Sequence, residues 1–308
     1  MKNELFYLSS DGITNIHAIE WIPDDSSPIA ILQICHGMCE YIDRYDDFAQ
    51  FLSRNGFCVV GNDHLGHGQS VISDDQHGFF SDKSGNECLL EDLQTLRSLT
   101  TDKYGDIPYF VLGHSMGSFL IRQYISRYGQ GLKGAVIMGT GSQPPVVLGA
   151  GMLICKLIAL FKGWHYRSKL VNIMALGGYN KRFEPAETKA EWLTKDRQII
   201  NKYINDPYST FVFTVNAYYN MFLSIYRAQS AKTISKIKKD LPLLLISGSD
   251  DPVGNFKKGV IAAYNKYKKF DFIDLTLKFF ENDRHEVLNE LDKADVYEYL
   301  LQWFKDRI

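Results

Sequence analysis

Short runs of apolar residues that alternate with helix-length stretches constrain the fold of this chain more than any other feature. Four such runs lie in the first half of the chain, at residues 29–35, 57–61, 109–112 and 135–138. A strand that is apolar on both faces must be covered on both sides, which is typical of a parallel sheet enclosed by helices. The alternation therefore predicts an α/β fold.

Helical spacing of apolar residues, with Gly or Asn at helix ends, predicts the elements between these runs. Two further strands are expected at 243–246 and 275–280, and an N-terminal hairpin of residues 6–8 and 16–21 is expected at one sheet edge. The predicted helices are residues 43–54, a stretch around 89–99, 116–128, 255–267 and 294–305.

The alternation stops after Gly141 and resumes near residue 241. Residues 142–240 carry helical patterns without convincing strands between them. An all-helical insertion into an α/β sheet is the simplest description of this pattern. We therefore expect residues 1–141 and 241–308 to form an α/β core, and residues 142–240 to form a helical cap over the ends of the strands.

Charge and cysteine content narrow the class of protein. The 308 residues carry a formal net charge of −2, which is too balanced for a nucleic-acid-binding protein. The N-terminus has no apolar segment of signal-peptide length, and five cysteines are an odd number for a disulfide framework. Reduced thiols and a cytoplasmic location are therefore expected.

The most apolar stretch of the chain is residues 146–161. It is shorter than the roughly 20 residues of a membrane span, and Lys156 and two glycines interrupt it. We expect a buried or surface-lying helix. At the mouth of a site, such a helix would make transient contact with lipid aggregates or a membrane surface.

Residues 113–117, Gly-His-Ser-Met-Gly, fit the pattern G-x-S-x-G. In this pattern a strand turns sharply into a helix, and the serine lies at the strained corner with its hydroxyl clear of the sheet. A predicted strand precedes the motif directly, and the predicted helix 116–128 follows it. The N-terminal amides of that helix face developing negative charge. This context indicates that Ser115 is a catalytic nucleophile rather than a serine in an idle turn.

A base and an acid for Ser115 follow from chain order, because serine hydrolases of this strand–turn–helix type place the acid and then the histidine after the nucleophile. Of the eight histidines only His165 and His285 come later, and His165 falls in the helical insertion. His285 follows a predicted strand and is the expected base. Asp251, in a Gly-x-x-acid-Pro-Val arrangement after a predicted strand, is the preferred acid, and Asp250 is the alternative.

Two backbone amides are the expected donors to the oxyanion. One belongs to Met116, directly after the nucleophile. The other belongs to Met38, in the loop after the first long strand, where Gly37 lets the backbone approach the substrate closely.

A second loop, residues 63–70, offers a tempting set of soft metal ligands together with Cys35, His36 and Cys39. No spacing in this set matches a zinc finger, a zinc ribbon or a zincin. The loop is therefore interpreted as a hydrogen-bonded structural element, and no metal site is expected.

Several motifs together resemble the monoacylglycerol lipase and lysophospholipase branch of the α/β-hydrolases, which is often labelled serine aminopeptidase-like. The resemblance runs from about residue 10 to the end of the chain, and the order of the motifs is specific for the branch. The motifs are HGMCE at 36–40, RY at 44–45, GHGQS at 66–70, GHSMG at 113–117, YNKRFEP at 179–185, EWLTKD at 191–196, SDDPVG at 249–254 and HEVLNE at 285–290.

The resemblance implies a mostly parallel eight-stranded sheet flanked by helices, a helical cap over the active site, and no cofactor. The chain departs from the usual motifs at Leu65, where the branch has Arg, and at Cys39, beside an oxyanion donor. The residues that match the catalytic groups of the branch are Ser115, Asp251 and His285 for the triad, and Met38 and Met116 for the oxyanion hole.

The expected substrate is a small-molecule ester with an apolar acyl chain, of the monoacylglycerol or lysophospholipid type. Aromatic and methionine side chains of the predicted cap can line an apolar tunnel, although most of them are expected to pack the cap itself. They are Trp164, Tyr166, Tyr179, Trp192, Tyr203, Phe211, Phe213, Tyr218, Tyr219, Met221 and Phe222.

Two other functions remain open on the sequence alone. An amidase or aminopeptidase would use the same triad, with Glu40 or Glu184 as the acidic group for a free amine. A non-catalytic protein would keep the fold and bind a small apolar ligand, but an intact triad argues against it.

Overall fold

Eight strands form one sheet in the computed structural model, which describes residues 1–24 and 27–308. The strands are β1 Lys2–Leu8, β2 Asn15–Trp21, β3 Ala30–Cys35, β4 Phe57–Asn62, β5 Tyr109–His114, β6 Leu132–Met138, β7 Leu243–Gly248 and β8 Leu275–Phe280. Their order across the sheet is β1-β2-β4-β3-β5-β6-β7-β8. β2 pairs antiparallel with β1 and β4, and every other pair is parallel. The predicted N-terminal hairpin therefore forms one edge of the sheet.

Ten α-helices accompany the sheet in the described residues, and short 3₁₀ turns lie between some of them. The helices are α1 Asp46–Arg54, α2 Gly85–Tyr104, α3 Met116–Tyr128, α4 Pro145–Lys162, α5 Lys169–Leu176, α6 Arg197–Ile204, α7 Val215–Ala228, α8 Ala231–Ile234, α9 Lys258–Lys268 and α10 Lys293–Lys305.

The core lies on both faces of the sheet, because successive side chains of a strand point to opposite sides. In β5, Tyr109 and Val111 pack into the layer formed with α2 and α3, whereas Phe110 and Leu112 pack into the layer formed with α1 and α10. Covering on both faces explains why the central strands are apolar at most positions. The predicted α/β architecture with a mostly parallel eight-stranded sheet is confirmed.

Several element boundaries differ from the prediction by a few residues, three of them as follows. β5 continues through Gly113 to His114, because Gly113 still pairs with both neighbouring strands. The predicted helix 43–54 opens with a 3₁₀ turn, Ile42–Tyr45, before α1. α9 begins at Lys258 rather than at residue 255, because residues 255–257 have φ between 48° and 75°, in the left-handed region that a helix excludes.

Between β6 and β7 the described chain forms helices α4 to α8 and no strand. Helix α4 packs against α7 and buries only Leu148, Gly151 and Cys155, so it lies at the surface. Within the described residues it is the one helix long and apolar enough to cross a membrane, and 17% of that span is buried in the fold. Its outer face exposes Val146, Val147, Leu153, Leu157, Leu160 and Phe161.

Candidate active site

Ser115 occupies the corner between β5 and α3, with φ 53° and ψ −117°. A non-glycine residue in this region is strained and must be held by its surroundings. The two flanking glycines are required by close packing, because a Cβ on Gly113 would overlap the carbonyl oxygen of Gly117. A Cβ on Gly117 would overlap the carbonyl oxygen of Cys35. The G-x-S-x-G pattern thus corresponds to a tight strand-to-helix turn that lifts the serine out of the sheet.

His285 and Asp251 are brought together by the loops that follow β8 and β7. The Nδ1 of His285 lies 2.9 Å from Oδ1 of Asp251, and both side chains are buried. Asp251 is also held by the amide of Val253, at 2.8 Å, and by the hydroxyl of Ser247, at 3.1 Å. A proton on Nδ1 leaves Nε2 of the ring as an acceptor, and this atom is buried without a hydrogen-bond partner among the described residues.

Asp250, the alternative acid, lies away from the histidine. Its amide donates to the carbonyl oxygen of Asp283 at 2.8 Å, and its half-buried side chain has no hydrogen bond to another described residue. Neither aspartate accepts from the first amides of α9 within the described chain, so neither caps that helix. The structure places Asp251, and not Asp250, beside His285.

The two predicted oxyanion donors both lie near Ser115. The amide of Met116 is the first of helix α3, where an amide has no acceptor within its own helix. The amide of Met38 donates to no other group of the described chain. Gly37 precedes Met38, and a Cβ there would lie 3.0 Å from the Cβ of Ser115. The glycine therefore lets the Met38 loop approach the nucleophile closely.

Cys39, one departure from the branch motif, has φ 53° and lines the same site. Its Sγ donates to the carbonyl oxygen of Phe211 at 3.2 Å. Burial, together with the charge of Glu40, raises the pKa of the Cys39 thiol far above its ordinary value. The thiol is therefore protonated at neutral pH and links the oxyanion loop to the helical segment rather than acting as a nucleophile.

Glu40 is the centre of a buried hydrogen-bond network that lines the site. Its carboxylate accepts hydrogen bonds from the amide of Gly37, from Tyr45 Oη at 3.0 Å and from His114 Nδ1 at 3.0 Å, and it pairs with Arg44 at 3.0 Å. Burial alone would raise its pKa. The hydrogen bond and charge of His114, with the charge of Arg44, instead hold the pKa of the Glu40 carboxyl well below its usual range. The same contact raises the pKa of His114 against the opposing effect of burial.

Chain order gives no role to Arg44 and Glu286, which belong to the RY and HEVLNE motifs. In the structure the guanidinium of Arg44 forms a two-pronged pair with Glu286, at 2.9 and 2.8 Å. Glu286 directly follows His285. A role for this pair depends on contacts between residues 242 positions apart, which no local pattern reveals.

The loop of residues 63–70 is held by hydrogen bonds, in line with its interpretation as a structural element. Asp63 accepts from His17 Nδ1 at 2.8 Å, from the amide of Ile42 at 2.8 Å and from the amide of Gln69 at 2.9 Å. Burial lowers the pKa of His67, whose ring packs among aromatic rings, to about 3. No group of three or more potential ligands is placed to hold a metal ion in the described part of the chain.

A cavity of about 860 Å³ opens between the sheet and the helical segment, and it reaches Ser115 and His285. Of the eleven aromatic and methionine residues named from the sequence, five line it, and the others pack elsewhere. The five are Tyr179, Trp192, Tyr203, Phe211 and Met221. Further apolar walls come from Met38, Met116, Phe119, Ile173, Leu176, Leu193, Ile204, Ile225 and Val253. The polar lining includes Glu40, Glu286, Asn172, Asn180, Glu187, Thr188, Lys189, Ser209 and Thr210.

His165, the other histidine after Ser115, stacks on Phe79 with the ring centroids 3.8 Å apart. It does not line the cavity of Ser115.

The mostly parallel sheet, with a serine on the strand-to-helix corner of a central strand, has the architecture of the α/β-hydrolases, and this chain is one of them.

Comparisons with known proteins agree. The family described as serine aminopeptidase, S33 (Hydrolase_4) matches residues 26–292. A monoglyceride lipase of Rattus norvegicus is 26% identical over 295 residues, covering 94% of this chain and 86% of that protein. An abhydrolase domain-containing protein of Dictyostelium discoideum is 25% identical over 94% of this chain, and this chain spans only 27% of its length. A thermostable carboxyl esterase of Bacillus coagulans, solved with glycerol, has a TM-score of 0.92 and 27% identity, covering 99% of this chain and 98% of that one.

The chain therefore belongs to the serine aminopeptidase S33 family. The resemblance to its monoacylglycerol lipase-like branch, inferred from the motifs, is confirmed, and the protein is a serine ester hydrolase.

Proposed function

We propose that this protein hydrolyses carboxylic esters with an apolar acyl group, of the monoacylglycerol or lysophospholipid type, through an acyl-enzyme on Ser115. The observation that carries the proposal is the cavity of about 860 Å³, which is walled mainly by apolar side chains and ends at Ser115 and His285. Such a cavity has room for an acyl chain and removes it from water. Relatives of similar length, including the rat monoglyceride lipase, carry names that describe hydrolysis of this kind of ester.

In the first half of the reaction, Ser115 Oγ attacks the ester carbonyl carbon while Nε2 of His285 takes the hydroxyl proton. The carbonyl oxygen becomes an oxyanion that the amides of Met38 and Met116 stabilise. The carbon–oxygen bond to the alcohol then breaks, and His285 returns the proton to the leaving oxygen. Asp251 holds the ring with Nδ1 protonated and stabilises the imidazolium, which is consistent with their 2.9 Å contact.

In the second half, water replaces the alcohol. His285 takes a proton from the water as its oxygen attacks the acyl carbon, and the proton passes to Ser115 Oγ as the acyl group leaves as a carboxylic acid. The free Nε2 of His285 and the strained corner at Ser115 support this assignment.

Residues 142–240 serve as the cap in this proposal, and residues 1–141 and 241–308 as the catalytic core. This segment supplies Trp192 and Phe211 from its loops, Tyr203 from α6 and Met221 from α7 to the cavity above the strand ends. The exposed apolar face of α4 supports a transient contact of the cap with lipid aggregates or a membrane surface.

Ester hydrolysis is favoured over aminopeptidase activity by the state of the acidic groups. Glu40 and Glu286 line the cavity, but both are already paired with Arg44. Glu184 is exposed and does not line the cavity. Glu187 also lines the cavity, but its side chain is largely exposed and lies 3.5 Å from Arg197. A free amine would therefore have to compete with a guanidinium for each of these three cavity carboxylates.

The test is hydrolysis of one chain-length series of monoacylglycerols and p-nitrophenyl esters, with a lysophospholipid and aminoacyl amides alongside. Rates that peak at medium or long acyl chains and vanish in Ser115→Ala would support the proposal. A preference for acetate esters or for aminoacyl amides, still dependent on Ser115, would overturn the lipid assignment. Fluorophosphonate labelling lost in His285→Ala would separate an enzyme from a non-catalytic binding protein.

A further inference from the structure

The loop that carries the Met38 amide and the loop that carries His285 come from distant parts of the chain, yet hydrolysis requires them at a set distance. On the first loop, Glu40 accepts a hydrogen bond from the amide of Gly37, the residue before Met38. On the second loop, Glu286 directly follows His285. Arg44 lies between these two carboxylates and contacts both.

The contacts of Arg44 are those of a rigid bridge. Nη1 lies 3.0 Å from Oε2 of Glu40 and 2.9 Å from Oε1 of Glu286, and Nη2 lies 2.8 Å from Oε2 of Glu286. The three side chains are 9%, 5% and 4% exposed, so water screens the charges only weakly. The planar guanidinium also lies on the ring of Tyr203, 5.0 Å from its centroid, which fixes its plane.

Glu286, at one end of the bridge, is held by further hydrogen bonds. Glu286 accepts from Asn289 Nδ2 at 2.8 Å, and its amide donates to the carbonyl oxygen of Leu193 at 2.7 Å. A second and weaker link runs through His114, which contacts Glu40 at 3.0 Å and the carbonyl oxygen of His285 at 3.3 Å. The Arg44 bridge is therefore the charged connection between the two loops.

We infer that Arg44 and Glu286 are positioning residues, which set the base His285 against the oxyanion donor Met38 through the bridge Glu40–Arg44–Glu286. Misplacement of a catalytic group by a fraction of an ångström lowers the rate of the chemical step more than it lowers the binding of a substrate in a preformed cavity. This inference rests on the proposed function, because it concerns the same serine and histidine.

The test compares Glu286→Gln with Glu20→Gln, two isosteric changes of a buried carboxylate. Glu20, on β2, accepts from Lys103 Nζ at 2.6 Å and from Tyr104 Oη at 2.7 Å, and it does not line the cavity. Both variants should lower Tm. In Glu286→Gln, kcat for a soluble p-nitrophenyl ester should fall by about tenfold or more with KM changed by less than about twofold. In Glu20→Gln, kcat should equal that of the wild type.

Arg44→Lys provides the second variant, because it keeps the charge but not the fork that contacts both carboxylates. It should also lose kcat with KM preserved, even if Glu286→Gln does not fold. Unchanged kcat in either folded variant, with only Tm lowered as in Glu20→Gln, overturns the inference. If Ser115→Ala retains the turnover of the wild type, the proposed function fails. If that turnover depends on Ser115 and the Arg44 and Glu286 variants keep it, only the bridge fails.

Discussion

Asp250 and Asp251 have the same side chain and adjacent positions, but the structure gives them different surroundings. Asp251 is buried and accepts from the His285 ring, from the Val253 amide and from the Ser247 hydroxyl. Gly248 makes this possible, because a Cβ there would overlap carbonyl oxygens of the loop that carries His285. The side chain of Asp250 is half-buried and makes no hydrogen bond to another described residue.

Substitution of each aspartate in turn gives a matched test of which one is the catalytic acid. Asp251→Asn should lower kcat by about 10⁴-fold, because an amide facing Nδ1 favours the wrong tautomer of His285. Asp250→Asn should leave kcat within a few-fold of the wild type and Tm nearly unchanged. Steady-state kinetics on a soluble p-nitrophenyl ester measure both. Equal losses in the two variants would contradict the assignment of Asp251 as the acid.

At the scale of the element, helix α4 exposes more large apolar side chains than any other described helix. It buries three residues and exposes six large apolar ones, among them Leu160 at 76% and Phe161 at 80%. A helix with so much exposed apolar surface is stabilised by contact with another apolar phase. Ile273, 80% exposed in the turn before β8, presents the same kind of side chain at another place on the molecule.

We expect Leu160→Gln/Phe161→Gln to reduce flotation with liposomes and hydrolysis of aggregated monoacylglycerol by several-fold. Hydrolysis of a soluble p-nitrophenyl ester should stay at the wild-type rate, because neither residue lines the cavity. Ile273→Gln is the control and should change none of the three. Equal flotation of all variants would refute a lipid contact through α4.

The contact between the N-terminal hairpin and α2 contains a buried carboxyl group, Asp92. Asp92 of α2 accepts from the Ser10 amide at 2.7 Å and from the Ser9 hydroxyl at 2.8 Å. Burial outweighs these hydrogen bonds and raises the pKa of Asp92 to about 6. A carboxyl whose pKa is raised on folding stabilises the folded state at low pH, and this contribution is lost as pH rises from about 4 through about 6.

Asp92→Asn should therefore gain stability relative to the wild type as pH rises from 4.5 to 7.5, by on the order of 1–3 kcal/mol. Urea unfolding at the two pH values measures the change. Asp102→Asn, at an exposed position of the same helix, should show no such pH-dependent difference. A constant difference between Asp92→Asn and the wild type would show that the folded-state pKa is ordinary.

At the scale of the whole molecule, residues 142–240 are not held uniformly. The segment around Trp192 is hydrogen-bonded to the base loop, since the amides of His285 and Glu286 donate to the carbonyl oxygens of Trp192 and Leu193. Arg284 donates to carbonyl oxygens of the same segment. Helix α7 buries eight of its fourteen residues, whereas α4 buries three of eighteen. Helices α4 and α5 are therefore the part of the proposed cap that is best suited to move.

Native-state hydrogen exchange should show this division. Amides of α4 and α5 should exchange faster than those of α7, and the amides of His285 and Glu286 should stay protected while α4 and α5 open. Ligand-free protein at neutral pH is sufficient for the measurement. Uniform protection across residues 142–240 would mean that the proposed cap opens as one unit or not at all.

Local pattern was enough to predict the strands and most helices, because each depends on residues close in sequence. The three triad candidates came from the local motif around Ser115 together with chain order and the resemblance of the motifs. Apolar runs specify buried strands, and the glycines around Ser115 specify a tight turn. The largest departures were at α9, where left-handed backbone delays the start of the helix, and in residues 142–240, where composition could not separate cavity-lining residues from packing ones.

By itself, the sequence determined the α/β class, since the periodicity of apolar residues is a property of neighbouring residues. Turn chemistry predicted the tight corner at Ser115, and chain order predicted an acid and a histidine after it. Only the tertiary structure decided which aspartate meets His285, which five cap residues face the cavity, and that Arg44 joins Glu40 to Glu286. These are contacts between residues tens to hundreds of positions apart. Their geometry depends on how the elements pack, which no local pattern encodes.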